Sequence, residues 1–191
     1  MTAASAGATP GLGSDWVPGP DGLLYRRAAR VILVDASDRV LLLRGHDVDE
    51  PSRTWWFTIG GGIDAGEDAR SAAVRELREE TGIEIAAAVL VGPVVTRSAV
   101  FDFSARTCRQ DEEIFLARLD LHGVHEDEMS RAGWTDVEQQ ILDELRWWHL
   151  DALAAVTEEV FPEGLVDLVR GLLAGWDGVT RHLGSSEPTG R

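Results

Sequence analysis

Lysine is absent from this 191-residue chain, and all 18 of its basic residues are arginine. That removes P-loop lysines, Schiff-base lysines and lysine general bases from consideration. Cysteine is nearly absent as well. Cys108 stands alone, so no intramolecular disulfide can form and nothing points to an oxidising compartment. Positive charge is outnumbered by 33 acidic residues, and the formal net charge of −15 opposes broad contact with nucleic-acid phosphates, a duplex included. A small anionic ligand stays compatible with this charge if a metal ion offsets the repulsion. Long apolar runs are missing too: residues 86–95, the longest, are too few to span a bilayer and are broken by Gly92 and Pro93. The first 20 residues lack the basic start and apolar run of a signal peptide. These absences predict a soluble, cytoplasmic protein with no membrane partner.

What is present is ordinary globular composition, 44% hydrophobic and 27% charged, enough for one compact domain with a sizeable core. Residues 1–21 and 183–191 are rich in Gly, Ser, Pro and Thr without apolar periodicity, so they read as a flexible arm and a flexible tail around a domain at 22–182. Residues 29–35 (ARVILVD) and 40–44 (VLLLR), separated by a turn-like 36–39, read as a buried hairpin. Further strands are expected at 87–91, 94–103, 108–119 and 145–149. Helical spacing appears at 69–81, with Asp68 as N-cap and Gly82 as stop. It appears again from Leu165, through Leu168, Val169, Leu172, Leu173 and Trp176, with Pro162 suited to the first turn. That second stripe suits a core or a dimer interface, which keeps a homodimer open. Strands flanking a central helix, with another helix near the end, predict an α/β (α+β) sandwich.

Residues 60–83 (GGGIDAGEDARSAAVRELREETGI) carry the chemistry. At about 100° per residue, Glu76, Glu79 and Glu80 project within an arc of about 100°, so their carboxylates converge. Ala69, Ala72, Ala73, Leu77 and Ile83 fall on or beside that arc, which turns the acids toward the body of the domain. Clustered carboxylates that lose hydration must protonate or acquire a cation. A hard divalent ion such as magnesium suits oxygen ligands and joins carboxylates to substrate phosphates. The preceding glycines let bare backbone approach the same patch.

Gly61, Glu67, Arg75, Glu76, Leu77, Glu79, Glu80, Gly82 and Ile83 stand in the order of the Nudix box, G-x5-E-x7-R-E-U-x-E-E-x-G-U with U apolar, and every fixed position matches. The flanks also resemble the Nudix hydrolases, with 40–44 before the box, Trp56 upstream and Arg146-Trp147-Trp148 after it. Ile59 stands where many members carry proline. The resemblance implies a Nudix-type α/β/α sandwich with a mixed sheet between helices, and Mg²⁺, or Mn²⁺ as substitute, as cofactor. It implies that Glu79 and Glu80 are primary metal ligands, with Glu76 a further ligand or base and the Gly61 carbonyl another ligand. Arg75 and Glu67 would pair to orient the acids. The expected reaction is attack by water on a diphosphate linkage in a nucleoside diphosphate or triphosphate derivative. Glu138, in the segment before the late Arg-Trp strand, is expected to serve as general base or extra ligand, in preference to Glu144.

Arg44, Arg53 and Trp56 are candidates for holding substrate, the arginines through phosphate and Trp56 by stacking. His122 and His125 read as surface loop, and Cys108 as a strand position. A non-catalytic Nudix-fold ligand-binding or sensor domain is the alternative, against which stand a complete set of metal residues and no helix-turn-helix segment. Isopentenyl diphosphate isomerase shares the fold, but its cysteine motif is missing. No signature in the sequence selects one diphosphate substrate.

Overall fold

The protein is described by a computed structural model covering residues 15–103, 106–120, 126–136 and 138–186. His122 and His125 lie outside the described residues. Within them the strands are β1 (Val17–Pro18), β2 (Leu24–Val34), β3 (Arg39–His46), β4 (Thr54–Gly62), β5 (Val91–Phe103), β6 (Arg106–Arg118), β7 (Leu142–His149), β8 (Glu159–Phe161) and β9 (Arg181–Ser186). The helices are α1 (Ala69–Thr81), α2 (Glu138–Ile141), α3 (Leu150–Leu153) and α4 (Leu165–Leu173). The strands form one mixed sheet in the order β7-β3-β4-β2-β6-β5-β9, with β1 attached to β2 and β8 to β4. β2 and β6 run parallel from Leu24 opposite Cys108 to Val34 opposite Arg118, and most other neighbours are antiparallel.

Strand alternation divides the core in two. Ala29, Val31, Leu33, Leu41, Leu43 and Ile59 meet Ala72, Ala73 and Leu77 of α1 on one face. Ile32, Val34, Val40, Leu42, Trp56 and Ile114 meet Leu153 and the Leu165, Val169 and Leu172 stripe of α4 on the other. Each such fully buried Leu or Ile contributes roughly 1.5–3 kcal/mol, so helices on both sides are held by the sheet they cover. This is the expected helix–sheet–helix sandwich. No helix among the described residues is long and apolar enough to cross a membrane.

Several boundaries differ from those the sequence predicts. The hairpin of β2 and β3 pairs only at Leu33–Leu41 and Val34–Val40, because β4 then enters between the two strands. β4 was not expected: its Gly60-Gly61-Gly62 end reads as loop, yet these glycines pair with Arg30, Ala29 and Ala28. In place of a strand at 87–91 there is a 3₁₀ turn at Ala87–Val89, whose alanines have no β-branch and whose Ala87 and Leu90 carbonyls accept from Arg70 of α1. Pro162 is not in the first turn of α4; Gly164, at φ 75°, is its N-cap, and Leu165 N–H reaches back to the Pro162 carbonyl at 3.1 Å. Parts of the expected arm and tail also join the sheet. Val17–Pro18 pairs with β2, where Trp16 meets Phe101 edge-on and Arg26 lies over Trp16. Arg181–Ser186 pairs with β5, helped by the Thr180 hydroxyl on the Pro93 carbonyl at 2.7 Å.

Candidate functional site

α1 begins and ends where its sequence dictates. The Asp68 carboxylate accepts from the Arg70 and Ser71 amides at 3.0 Å, and Gly82 at φ 76° donates its amide to the Arg78 carbonyl at 2.8 Å. Between these caps, Glu76 and Glu80 share the buried stripe with Ala72, Ala73 and Leu77, and they are only 6% and 3% exposed. Glu79 points aside, with 35% of its side chain exposed, held by Arg75 at 3.1 Å.

The end of β4 lies directly under the two buried acids. Gly60 N–H donates to Glu80 Oε2 at 2.7 Å. A Cβ added to Gly61 would sit 2.7–2.9 Å from the Glu76 carboxylate, so only glycine permits this approach. From the other side comes Glu138, first residue of α2. Thr135 and Glu138 form a reciprocal cap: Glu138 Oε2 accepts from the Thr135 amide at 2.7 Å and hydroxyl at 2.8 Å, and the Glu138 amide donates back to that hydroxyl at 3.3 Å. Glu76, Glu80 and Glu138 thereby each offer a carboxylate oxygen within 4.8 Å of the others.

Electrostatics set the character of the cluster. Burial pushes the Glu76 carboxyl up to about 7, against the pull of Arg75 and with a further push from Glu138 and Glu79. Burial, then the nearby Glu76, raises Glu80 well above the ordinary carboxyl range, with the Gly60 amide opposing. Such a group resolves its repulsion by taking protons or a cation. Its donors are all hard oxygens, so the residues fit a divalent ion of the magnesium or manganese kind. The Arg75 guanidinium supports the cluster from one side. It makes two bonds to Glu67 at 3.1 and 2.8 Å, and others to Glu76 at 2.6 Å and the Gly62 carbonyl at 2.8 Å. These bonds hold Glu67 below the usual carboxylate range, despite some burial, and raise Arg75 further above its own ordinary value.

The structure does not bring Arg44, Arg53 and Trp56 to this cluster. Arg44 and Trp56 face the α4 side of the sheet, where the Arg44 guanidinium, Thr54 hydroxyl and Trp56 indole all donate to Glu158. Trp56 is 1% exposed and meets Trp148 edge-on at 5.0 Å, which leaves no face for a base to stack on. Arg53 pairs with Glu159 at 3.4 Å, outside the cluster. Glu144 pairs with Arg146, which lies over Trp56 on that same far side. Cys108 is fully buried at a strand position.

One participant went unread in the sequence. Arg30 in β2 donates from Nη1 to the carbonyls of Thr58 and Gly60, beside the amide that holds Glu80. Its signal was an arginine inside the apolar run 29–35, where a buried charge requires partners.

The NUDIX domain family matches residues 24–167, and the chain belongs to this family. Over 63 residues it is 49% identical to an RNA pyrophosphohydrolase of Sphingopyxis alaskensis and 44% identical to one of Dinoroseobacter shibae. Both alignments take in 33% of this chain, and it spans 38% of the length of these curated relatives. Among solved structures, the mMutator MutT protein from Bacillus halodurans superposes with a TM-score of 0.52 at 23% identity, covering 83% of this chain and 89% of that one. The E. coli ORF135 protein gives 0.52 at 21% identity, covering 84% and 100%. These two likenesses establish the fold.

Proposed function

We propose that the protein is a metal-dependent hydrolase that uses water to split a diphosphate linkage in a nucleotide-like small molecule. The observation that carries this reading is the convergence of Glu76, Glu80 and Glu138 within 4.8 Å, two of them buried, at the end of a glycine-lined strand. Mg²⁺ is the ion proposed, with Mn²⁺ as substitute, held by Glu76 and Glu80, with the Gly61 carbonyl and Glu79 as further candidates and Glu138 beside them as general base or, in place of that role, an extra ligand. Bound there, it supplies Lewis-acid charge to phosphoryl oxygens and lowers the pKa of water. Glu138 has Oε2 committed to Thr135, which leaves its other oxygen to accept a proton from the attacking water. Arg75 fixes Glu76 and Glu67, so the acids keep their spacing as charge develops. No Ser, Cys or Lys stands among the cluster residues to act as a covalent nucleophile, which favours direct attack by water at phosphorus.

The name of the two RNA pyrophosphohydrolase relatives brings RNA into the substrate question. The net charge of −15 favours a short or small-molecule substrate over a long duplex. A phosphate-release screen with Mg²⁺ tests the reading across short 5′-triphosphorylated RNA, ordinary and oxidised nucleoside triphosphates, nucleoside diphosphate sugars and dinucleoside polyphosphates. Turnover is expected on at least one diphosphate, lost in excess chelator and restored by Mg²⁺ or Mn²⁺. Turnover that survives chelation, or that is confined to phosphate monoesters, contradicts the proposal.

A further inference from the structure

We propose that Arg30, which lies outside the Nudix box, is a positioning residue that sets the metal centre by clamping the backbone of β4 beneath Glu80. This inference rests on the metal reading of the cluster given above. β4 changes partners midway: Thr54 to Thr58 pair with β3, and Ile59 to Gly62 pair with β2. The carbonyls of Thr58 and Gly60, on either side of this change, accept from the same Arg30 nitrogen at 2.9 and 3.0 Å. Between them lies the Ile59–Gly60 peptide, whose N–H donates to Glu80 Oε2. Holding the carbonyls on both sides fixes the plane of that peptide, and with it the position of the Glu80 oxygen. Gly60 needs such a restraint. Its φ is 133°, a side chain there would lie 2.3 Å from the Ala29 carbonyl oxygen, and glycine alone would let the peptide turn.

Arg30 is itself held from below. Its Nε donates to Glu112 Oε1 at 2.6 Å, and the Glu112 side chain is completely buried and also bound by Arg97. Burial alone would raise the Glu112 carboxyl, but Arg30 and Arg97 outweigh it and hold it at about 2. The pair therefore stays ionised. A buried ion pair adds little net stability over apolar packing, so the geometry it imposes on β4 is its clearest consequence.

Mn²⁺ affinity, read directly from the electron paramagnetic resonance of free Mn²⁺ without substrate, tests the inference. Arg30→Gln and Arg30→Lys are expected to weaken the Kd by about 10–100-fold, the usual effect of losing a group that orients metal ligands. Lysine does not rescue, because one ammonium cannot hold Glu112 and both carbonyls as a planar guanidinium does. Arg97→Gln removes the partner of the other Glu112 oxygen and leaves the bonds of Arg30 to Glu112 Oε1 and to β4 in place. It should lower the melting temperature yet keep the wild-type Kd, which separates positioning from stability. If the Arg30 variants do not fold, Glu112→Ala decides: it removes the acceptor that anchors Arg30 Nε, and a weakened Kd supports the clamp while an unchanged one overturns it. A wild-type Kd in folded Arg30→Gln, or an equal loss in Arg97→Gln, also overturns it. Failure of the unaltered protein to bind Mn²⁺ overturns the metal reading instead.

Discussion

Glu76, Glu79 and Glu80 carry the same side chain on one helix, and their surroundings make them different groups. Glu79 meets solvent and Arg75, whereas Glu76 and Glu80 are buried against Gly61 and Gly60. A carboxyl whose pKa is higher folded than unfolded keeps its proton longer in the folded state. Stability from this pair is therefore full below the ordinary value of 4.5 and falls as pH rises through about 7 for Glu76, with Glu80, also raised well above its ordinary value by burial, acting in the same direction. Glu67, shifted downward, acts only below 4.5. The metal-free protein is expected to lose melting temperature between about pH 5 and pH 8, and Glu80→Gln should flatten that slope. A flat profile for the unaltered metal-free protein in calorimetry would contradict the shifts. Glu138→Gln should cut kcat by about 10²–10⁴ with little change in KM, the usual worth of a positioned base. Glu144→Gln should be mild, since Glu144 faces the other side of the sheet, and steady-state kinetics of the two variants would expose a reversed assignment. Helical periodicity made Glu76 and Glu80 legible as inward acids, but it placed Glu79 with them, whereas Glu79 turns aside to Arg75 and solvent, because an arc of about 100° spans both the buried stripe and its edge. Arg44, Arg53 and Trp56 were not legible, because a strand residue's face depends on register, and a shift of one position moves it across the sheet.

At the scale of elements, α1 was readable to the residue because both of its ends carry chemical stops, Asp68 and Gly82. Gly82 also lies against Ser130, which a Cβ would approach to 2.8 Å. Gly82→Ala should therefore destabilise by at least about 1–2 kcal/mol, the cost of left-handed backbone for an L-residue, measured as a lower urea midpoint. An unchanged midpoint would mean that the helix end does not need its left-handed turn. Only the end of β4 was hidden, for the opposite reason: residues 54–59 (TWWFTI) are β-branched and aromatic and carried a strand signal that went unused, whereas Gly60, Gly61 and Gly62 carry no strand propensity and pair with residues 28–30 of β2 through a tertiary contact. The edge strand β9 is recruited the same way, by β5, distant in sequence, whereas the two-residue β1 joins through a short hairpin onto Leu24 and Tyr25. α4 shows a partial reading: its buried stripe was correct, but its start shifted to Gly164 because Pro162 lies outside the helix.

Across the whole molecule, the sheet separates two kinds of work. One face seats α1 and gathers Glu76, Glu80 and Glu138; the other packs α3 and α4 over Trp56 and Leu42. An overall charge of −15 would repel a phosphorylated substrate, so the reaction proposed depends on cation charge at the acid cluster. The sandwich could be read from the order of elements, and the family from the box. The substrate could not, because the groups beyond the diphosphate would be recognised by surfaces that no local motif encodes. The central claim is that the acid cluster directs water to phosphorus. It is tested most directly by a single turnover in ¹⁸O-water with Mg²⁺, comparing the unaltered protein with Glu80→Gln. The account predicts one ¹⁸O in a phosphate product of the unaltered protein, with no trapped phospho-enzyme, and labelling at background rate in Glu80→Gln. Label on a product that carries no phosphate, or labelling by Glu80→Gln at the unaltered rate, would contradict it.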